Sequence, residues 1–143
     1  MKSMIYETKL AHVNAAAVSA GTAINTSSVD MLGWDGVMFF GTMATVNAAN
    51  FVNLAQSADD SSFADLTGTK VTPTVNGNVF CVDLVRSGSG DRYVRLEMDR
   101  GGTNTAVGDI FAIQYHGGNA KLPATWATTI NKEFHASPAE GTA

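Results

Sequence analysis

The sequence predicts an all-β fold: an antiparallel β-sandwich, jelly-roll-like, with extended N- and C-terminal arms. Three observations predict it. Hydrophobic residues recur with a period of two, most cleanly where Tyr93, Arg95 and Glu97 alternate with Val94, Leu96 and Met98. Clusters of Gly, Asn, Asp and Ser punctuate the chain about every ten residues, the rhythm of a sandwich or jelly roll. No strand–helix–strand alternation of the kind that builds parallel sheets is visible in the sequence. The predicted organisation is an N-terminal arm over residues 1–20, a sandwich over 21–116 and a C-terminal arm over 117–143.

The N-terminal arm has weak strand character, and Tyr6, Thr8 and Leu10 could form a short edge strand. A short strand is predicted over Gly21–Asn25. Residues Thr26–Gly36 form a loop anchored by Trp34, which Asp30 and Asp35 flank and close. Val37–Thr42, VMFFGT, is a continuous apolar run and reads as a central strand. Phe51–Ala58 is a strand, and Asp59-Asp60-Ser61-Ser62 is a turn in which Asp and Ser side chains bond backbone amides two residues on. Phe63–Leu66 returns, and Gly68 ends the return strand. Pro73 marks Lys70–Thr74 as an edge. Asn76-Gly77 is a type I′ hairpin signal ahead of a strand over Val79–Val85. Arg92–Met98 and Val107–His116 are the last two core strands. In the C-terminal arm Leu122, Trp126, Ile130 and Phe134 stand four apart, the spacing of one helical face begun near Pro123, while Thr125, Thr128 and Thr129 oppose a helix. Those apolar groups need a surface, either the chain's own sandwich or a neighbouring subunit.

Composition narrows the function. At 143 residues the chain fits one domain large enough for a core without staples. It is 45% hydrophobic but only 15% charged, against an ordinary charged content of about 25%. Such a surface hydrates poorly and is suited to cover by a partner. The net charge is −4 and no Lys/Arg run occurs, so direct nucleic-acid binding is not expected. A lone cysteine, Cys81 in the apolar run VFCVDLV, allows no internal disulfide and reads as a small buried residue. Ala17-Val18-Ser19-Ala20 resembles a signal-peptidase site, but Glu7, Lys9, His12 and Asn14 interrupt the apolar segment that should precede it. No secretion signal or membrane span is expected, and folding in a reducing cytoplasm is.

No catalytic, cofactor or metal site is expected. His12, His116 and His135 lack metal-ligand spacing. The Asp59–Ser62 turn lacks the following Glu of a calcium loop. Gly88-x-Gly90 and Gly101-Gly102 open no helix that would hold a phosphate, and there is no G-x-S-x-G elbow. Arg92, Tyr93 and Arg95 either hold an acidic partner at the sandwich rim or pair across strands with Asp83, Glu97 or Asp99.

Four stretches then carry a family likeness: Val29–Phe40, Asn53–Thr69, Asp91–Thr105 and Asp109–His116. Together they resemble the small head decoration, or cement, proteins of tailed bacteriophages, as does the ending SPAEGTA. The likeness covers most of residues 21–116 and rests on turn-and-strand signatures. It implies a jelly-roll-like sandwich on the outer surface of an icosahedral virion. Its partners would be the major capsid protein and copies of itself at symmetry axes, with no direct nucleic acid, no membrane and no cofactor. The family has no catalytic residues to carry over. The candidate interface is Tyr6, Leu10, Arg92, Tyr93, Arg95, Leu122, Trp126, Ile130 and Phe134, with both arms carrying much of the contact. The alternative is a carbohydrate-binding β-sandwich that presents Trp34 or Tyr93.

Overall fold

The computed structural model describes residues 4–86, 90–116, 130–136 and 139–142. Among the described residues a four-residue helix, α1 (Met4–Glu7), precedes twelve strands. They are β1 (Thr8–Asn14), β2 (Ala17–Ala20), β3 (Ile24–Asn25), β4 (Val29–Asp30), β5 (Gly36–Thr42) and β6 (Phe51–Ser57). Then come β7 (Ala64–Asp65), β8 (Val79–Val85), β9 (Tyr93–Asp99), β10 (Thr105–Val107), β11 (Ile110–Tyr115) and β12 (Ile130–Ala136). The first sheet runs β1-β11-β5-β8-β12; the second runs β3-β9-β6-β7, with β4 also on β9. A small pair, β2 and β10, stands beside them. The chain is an all-β sandwich.

The core lies where alternate residues of the two sheets meet. Val37, Phe39, Phe80, Val82, Ile110 and Ala112 of the first sheet form one buried cluster with Val52, Leu54, Val94, Leu96 and Met98 of the second. The period of two is visible in β9, whose odd-numbered residues are half-buried and whose Val94, Leu96 and Met98 are buried. VMFFGT is central as expected, with β5 between β11 and β8.

Three local features differ from the sequence reading. Ile130–Ala136 is a strand, so the four-residue spacing of Ile130 and Phe134 does not mark a helix face. Its partner β8 supplies seven paired positions of sheet backbone, which a seven-residue helix could not match by itself. That pairing is parallel, which breaks the otherwise antiparallel pattern. Asn76-Gly77 is a turn, closed by Asn78 N–H to the Val75 carbonyl at 3.1 Å, but not a hairpin. Only Gly77 of the two has positive φ, +76°, where type I′ needs both central residues positive. The strand it introduces, β8, pairs with β5 and β12, and residues 70–74 contribute one isolated bridge, Val71 to Val52.

The Asp59–Ser62 turn forms as predicted and joins β6 to β7. Asp59 Oδ1 accepts from the amides of Ser61 (3.0 Å) and Ser62 (2.9 Å) and from Ser57 Oγ (2.8 Å). These bonds favour the anion and push the Asp59 carboxyl well below its ordinary range. Arg100 organises the opposite corner. It is 4% exposed and donates to the carbonyls of Thr22, Val18 and Thr105, fastening β2 to β10.

Candidate interaction surface

Each sheet has one face toward the core and one facing away, and the two outward faces differ. On the first sheet the register places residues of four strands in rows. One row is Leu10, Ile113, Met38 and Asp83; the next is His12, Phe111, Phe40 and Cys81. All but Asp83 and His12 in these rows are apolar. The rings stack along the second row, His12 to Phe111 at 5.1 Å and Phe111 to Phe40 at 5.7 Å between centroids. Leu10 is 63% exposed, Met38, Phe40, Phe111 and Ile113 are half-buried, and Cys81 is buried as the sequence predicted.

Asp83 interrupts this apolar surface, and its position depends on a glycine. The Tyr115 ring lies across β5 at Gly36, so that its hydroxyl donates to Asp83 Oδ1 at 2.7 Å on the strand beyond. A Cβ at Gly36 would fall within contact distance of that ring. Burial raises the Asp83 carboxyl above its ordinary value, and the Tyr115 hydroxyl partly opposes this. Burial also raises the Tyr115 hydroxyl, and its bond to Asp83 adds to the effect.

The outward face of the second sheet is polar and internally paired. Arg92, just before β9, grips Asp30 of β4 with two bonds, Nε to Oδ1 at 2.8 Å and Nη2 to Oδ2 at 2.7 Å. The Arg92 bonds, with the Leu32 amide, hold the Asp30 carboxyl down at about 2. Arg95 binds Glu97 on its own strand and lies over the Phe63 ring, 4.0 Å from its centroid. Lys70 covers the Phe51 ring at 3.9 Å, and Asn53 donates to Asp65 at 2.9 Å.

The residues singled out from sequence therefore separate. Leu10 is on the edge strand of the apolar sheet, and Tyr6 is in α1 beside it, 85% exposed. Ile130 is half-buried on β12, the opposite edge of that sheet, opposite Val79. Phe134 is on the same strand, at the register position of Asp83. Arg92, Tyr93 and Arg95 belong to the other sheet; Arg92 pairs with Asp30, a partner the sequence reading did not consider, and Arg95 with Glu97. Leu122 and Trp126 lie outside the described residues. What sequence reasoning missed is Met38, Phe40, Phe111 and Ile113 as a surface. The available signal was VMFFGT, a strand apolar on both faces.

Other candidates for chemistry resolve into local pairs. His12 meets Asp109 at 2.8 Å, His116 meets Asp35 at 3.8 Å and His135 meets Glu133 at 3.1 Å. Among the described residues no three His, Cys, Asp or Glu side chains are grouped to hold a metal. No helix among them is long and apolar enough to cross a membrane. Trp34 stacks on His116 with centroids 4.6 Å apart and packs against the core, so one of its ring faces is occupied.

An all-β sandwich with one apolar and one self-paired outward face is the class of protein defined by these features. No protein-family model and no curated protein sequence matches the chain. Among solved structures the PBSX exported protein XepA shares the fold, with a TM-score of 0.57 at 14% identity over 90% of this chain. The match spans 43% of XepA, so this chain corresponds to less than half of that protein. A structure of infectious bursal disease virus, Gt strain, aligns over 78% of this chain and 33% of its own at 14% identity, with a TM-score of 0.41, too low to define a common fold.

Proposed function

We propose that this chain is a non-enzymatic structural protein of a virus particle, one that decorates and stabilises an icosahedral phage capsid by bridging major capsid subunits from outside. The observation that carries the reading is the apolar outward face of the first sheet, built from Leu10, Met38, Phe40, Phe111 and Ile113. A sheet face of this kind is a surface made to be covered. Charged residues are sparse, as at the centre of a protein interface. The resemblance of its turn-and-strand signatures to phage decoration proteins, and the fold it shares with the PBSX exported protein XepA, support the same reading. In a lattice each copy needs only modest affinity, because repeated contacts act together.

The test is co-sedimentation of the purified chain with undecorated capsids of the phage that encodes it. Binding should saturate at a fixed copy number per capsid. Phe40→Asp should weaken it about a hundredfold, the scale expected for a central aromatic anchor. Met38→Lys on the same face guards against a folding defect, and circular dichroism should show both variants as β-rich. Folded variants that bind as tightly as the parent would sink the proposal.

A further inference from the structure

We infer that the β1 edge is a self-pairing surface, at which α1 unwinds and residues 4–12 of two copies join antiparallel about a two-fold axis through Thr8. β1 is the last strand of its sheet, with β11 on one side and no described strand on the other. A strand in that position presents backbone donors and acceptors to any extended chain that approaches. Of the six large apolar residues exposed among the described residues, three lie here: Met4 (71%), Tyr6 (85%) and Leu10 (63%).

The second copy is specified by complementarity. A two-fold axis perpendicular to a sheet pairs residues on the same face, so their numbers differ by an even count. With Thr8 on the axis, Glu7 meets Lys9 of the second copy and Tyr6 meets Leu10 of the second copy, each pair occurring twice. Opposite charges and aromatic–aliphatic pairs are the stabilising cross-strand combinations. The opposite edge of the sheet, β12, has its opposite charges at Lys132 and Glu133. Those numbers differ by one, so no such axis pairs them.

The helix is no obstacle. α1 is a single turn of four residues, and Met4 and Tyr6 within it are exposed. Thr8 Oγ1 donates to the Met4 carbonyl at 2.6 Å, and Glu7 makes a further contact within the chain. A lone turn carries the cost of helix nucleation without the return of propagation. Unwinding it lengthens β1, and Glu7 exchanges the contact it makes within its own chain for one to Lys9 of the second copy. Tyr6 then falls on the same face as Leu10. The apolar rows of the two sheets run on into each other across the axis.

Sedimentation velocity of the 143-residue chain should show a concentration-dependent dimer. In a Cys81→Ala background, Thr8→Cys should cross-link to a dimer on mild oxidation, since Cα atoms facing each other in an antiparallel pair stand about 4.5–5.5 Å apart, within disulfide range. Val18→Cys, at a more accessible position, should not. Glu7→Lys and Lys9→Glu should each weaken the dimer about tenfold, and the double exchange should restore it to within about threefold. A chain that stays monomeric at every concentration overturns the inference. So does a dimer that Thr8→Cys links no better than Val18→Cys, or a charge exchange that restores nothing. None of these measurements involves a capsid, so the inference stands or fails separately from the virion reading.

Discussion

On the outward face of the second sheet the charged groups find partners within their own chain: Arg92 holds Asp30, Arg95 holds Glu97, and Lys70 covers Phe51. On the outward face of the first sheet the rows are Leu10, Ile113 and Met38, then Phe111 and Phe40, with Asp83 as the single acid among them. The sheets share one core, yet among the described residues the second sheet's outward groups pair with one another while the first sheet's apolar rows stay partly exposed. The shared core is built from the inward faces. The apolar outward face lies outside that core, and its sheet edge ends at β1, where Leu10 and the neighbouring Met4 and Tyr6 are exposed.

The contrast is broken most severely at Gly36. If the apolar face is a packed layer, a single methyl under the Tyr115 ring should be felt there. Gly36→Ala should lower the unfolding free energy by about 1–3 kcal/mol, the usual cost of overpacking, measured by urea denaturation. In a Tyr115→Ala background the same methyl should cost much less, because the ring it meets is gone. Equal costs in both backgrounds would show that Tyr115 does not lie across β5 in solution.

Asp83 sharpens the same contrast through pH. Its folded-state value is raised above the ordinary 3.8, so the folded state holds the proton more tightly than the unfolded one. The ionised form therefore costs stability: the cost is absent below pH 3.8, grows as pH rises through that value, and is complete above the folded-state value. Asp83→Asn keeps an oxygen for the Tyr115 hydroxyl and removes the charge. It should be the more stable protein at pH 7, by under about 1 kcal/mol given partial solvent screening. The gain should shrink toward nothing as pH approaches 3.8, as thermal melts across pH would show.

Much of this was legible in the sequence, for identifiable reasons. The Tyr93–Met98 alternation dictates which side chains of β9 are buried, because a strand has two faces and one meets the core. The Asp59–Ser62 turn was legible because its bonds are local, two and three residues on. Arg92 to Asp30 was not, since the partners lie 62 residues apart and meet only because β4 pairs with β9. Nor was the apolar face: the rows combine β1, β11, β5 and β8, and a sequence does not say which strands are neighbours. Pairing of β12 with β8 was hidden by a four-residue spacing that suits a helix as well.

The smallest effect belongs to the polar face. Arg92 and Asp30 make two good bonds, but their side chains are 44% and 39% exposed, and water competes for both. Arg92→Ala should move the melting temperature by no more than about 2 °C, as for most exposed ion pairs. Its clear signature is electrostatic. Asp30, held at about 2, should titrate closer to 3.8 once the guanidinium is gone, which NMR of the carboxyl carbon can follow. The sign follows: the parent keeps the pair's contribution above pH 3.8 and loses it as pH falls toward 2, whereas the variant has none to lose. Capsid binding should be unchanged. A loss of binding in Arg92→Ala comparable to that in Phe40→Asp would mean that the self-paired face also meets a partner, and that pairing within the chain does not exclude pairing beyond it.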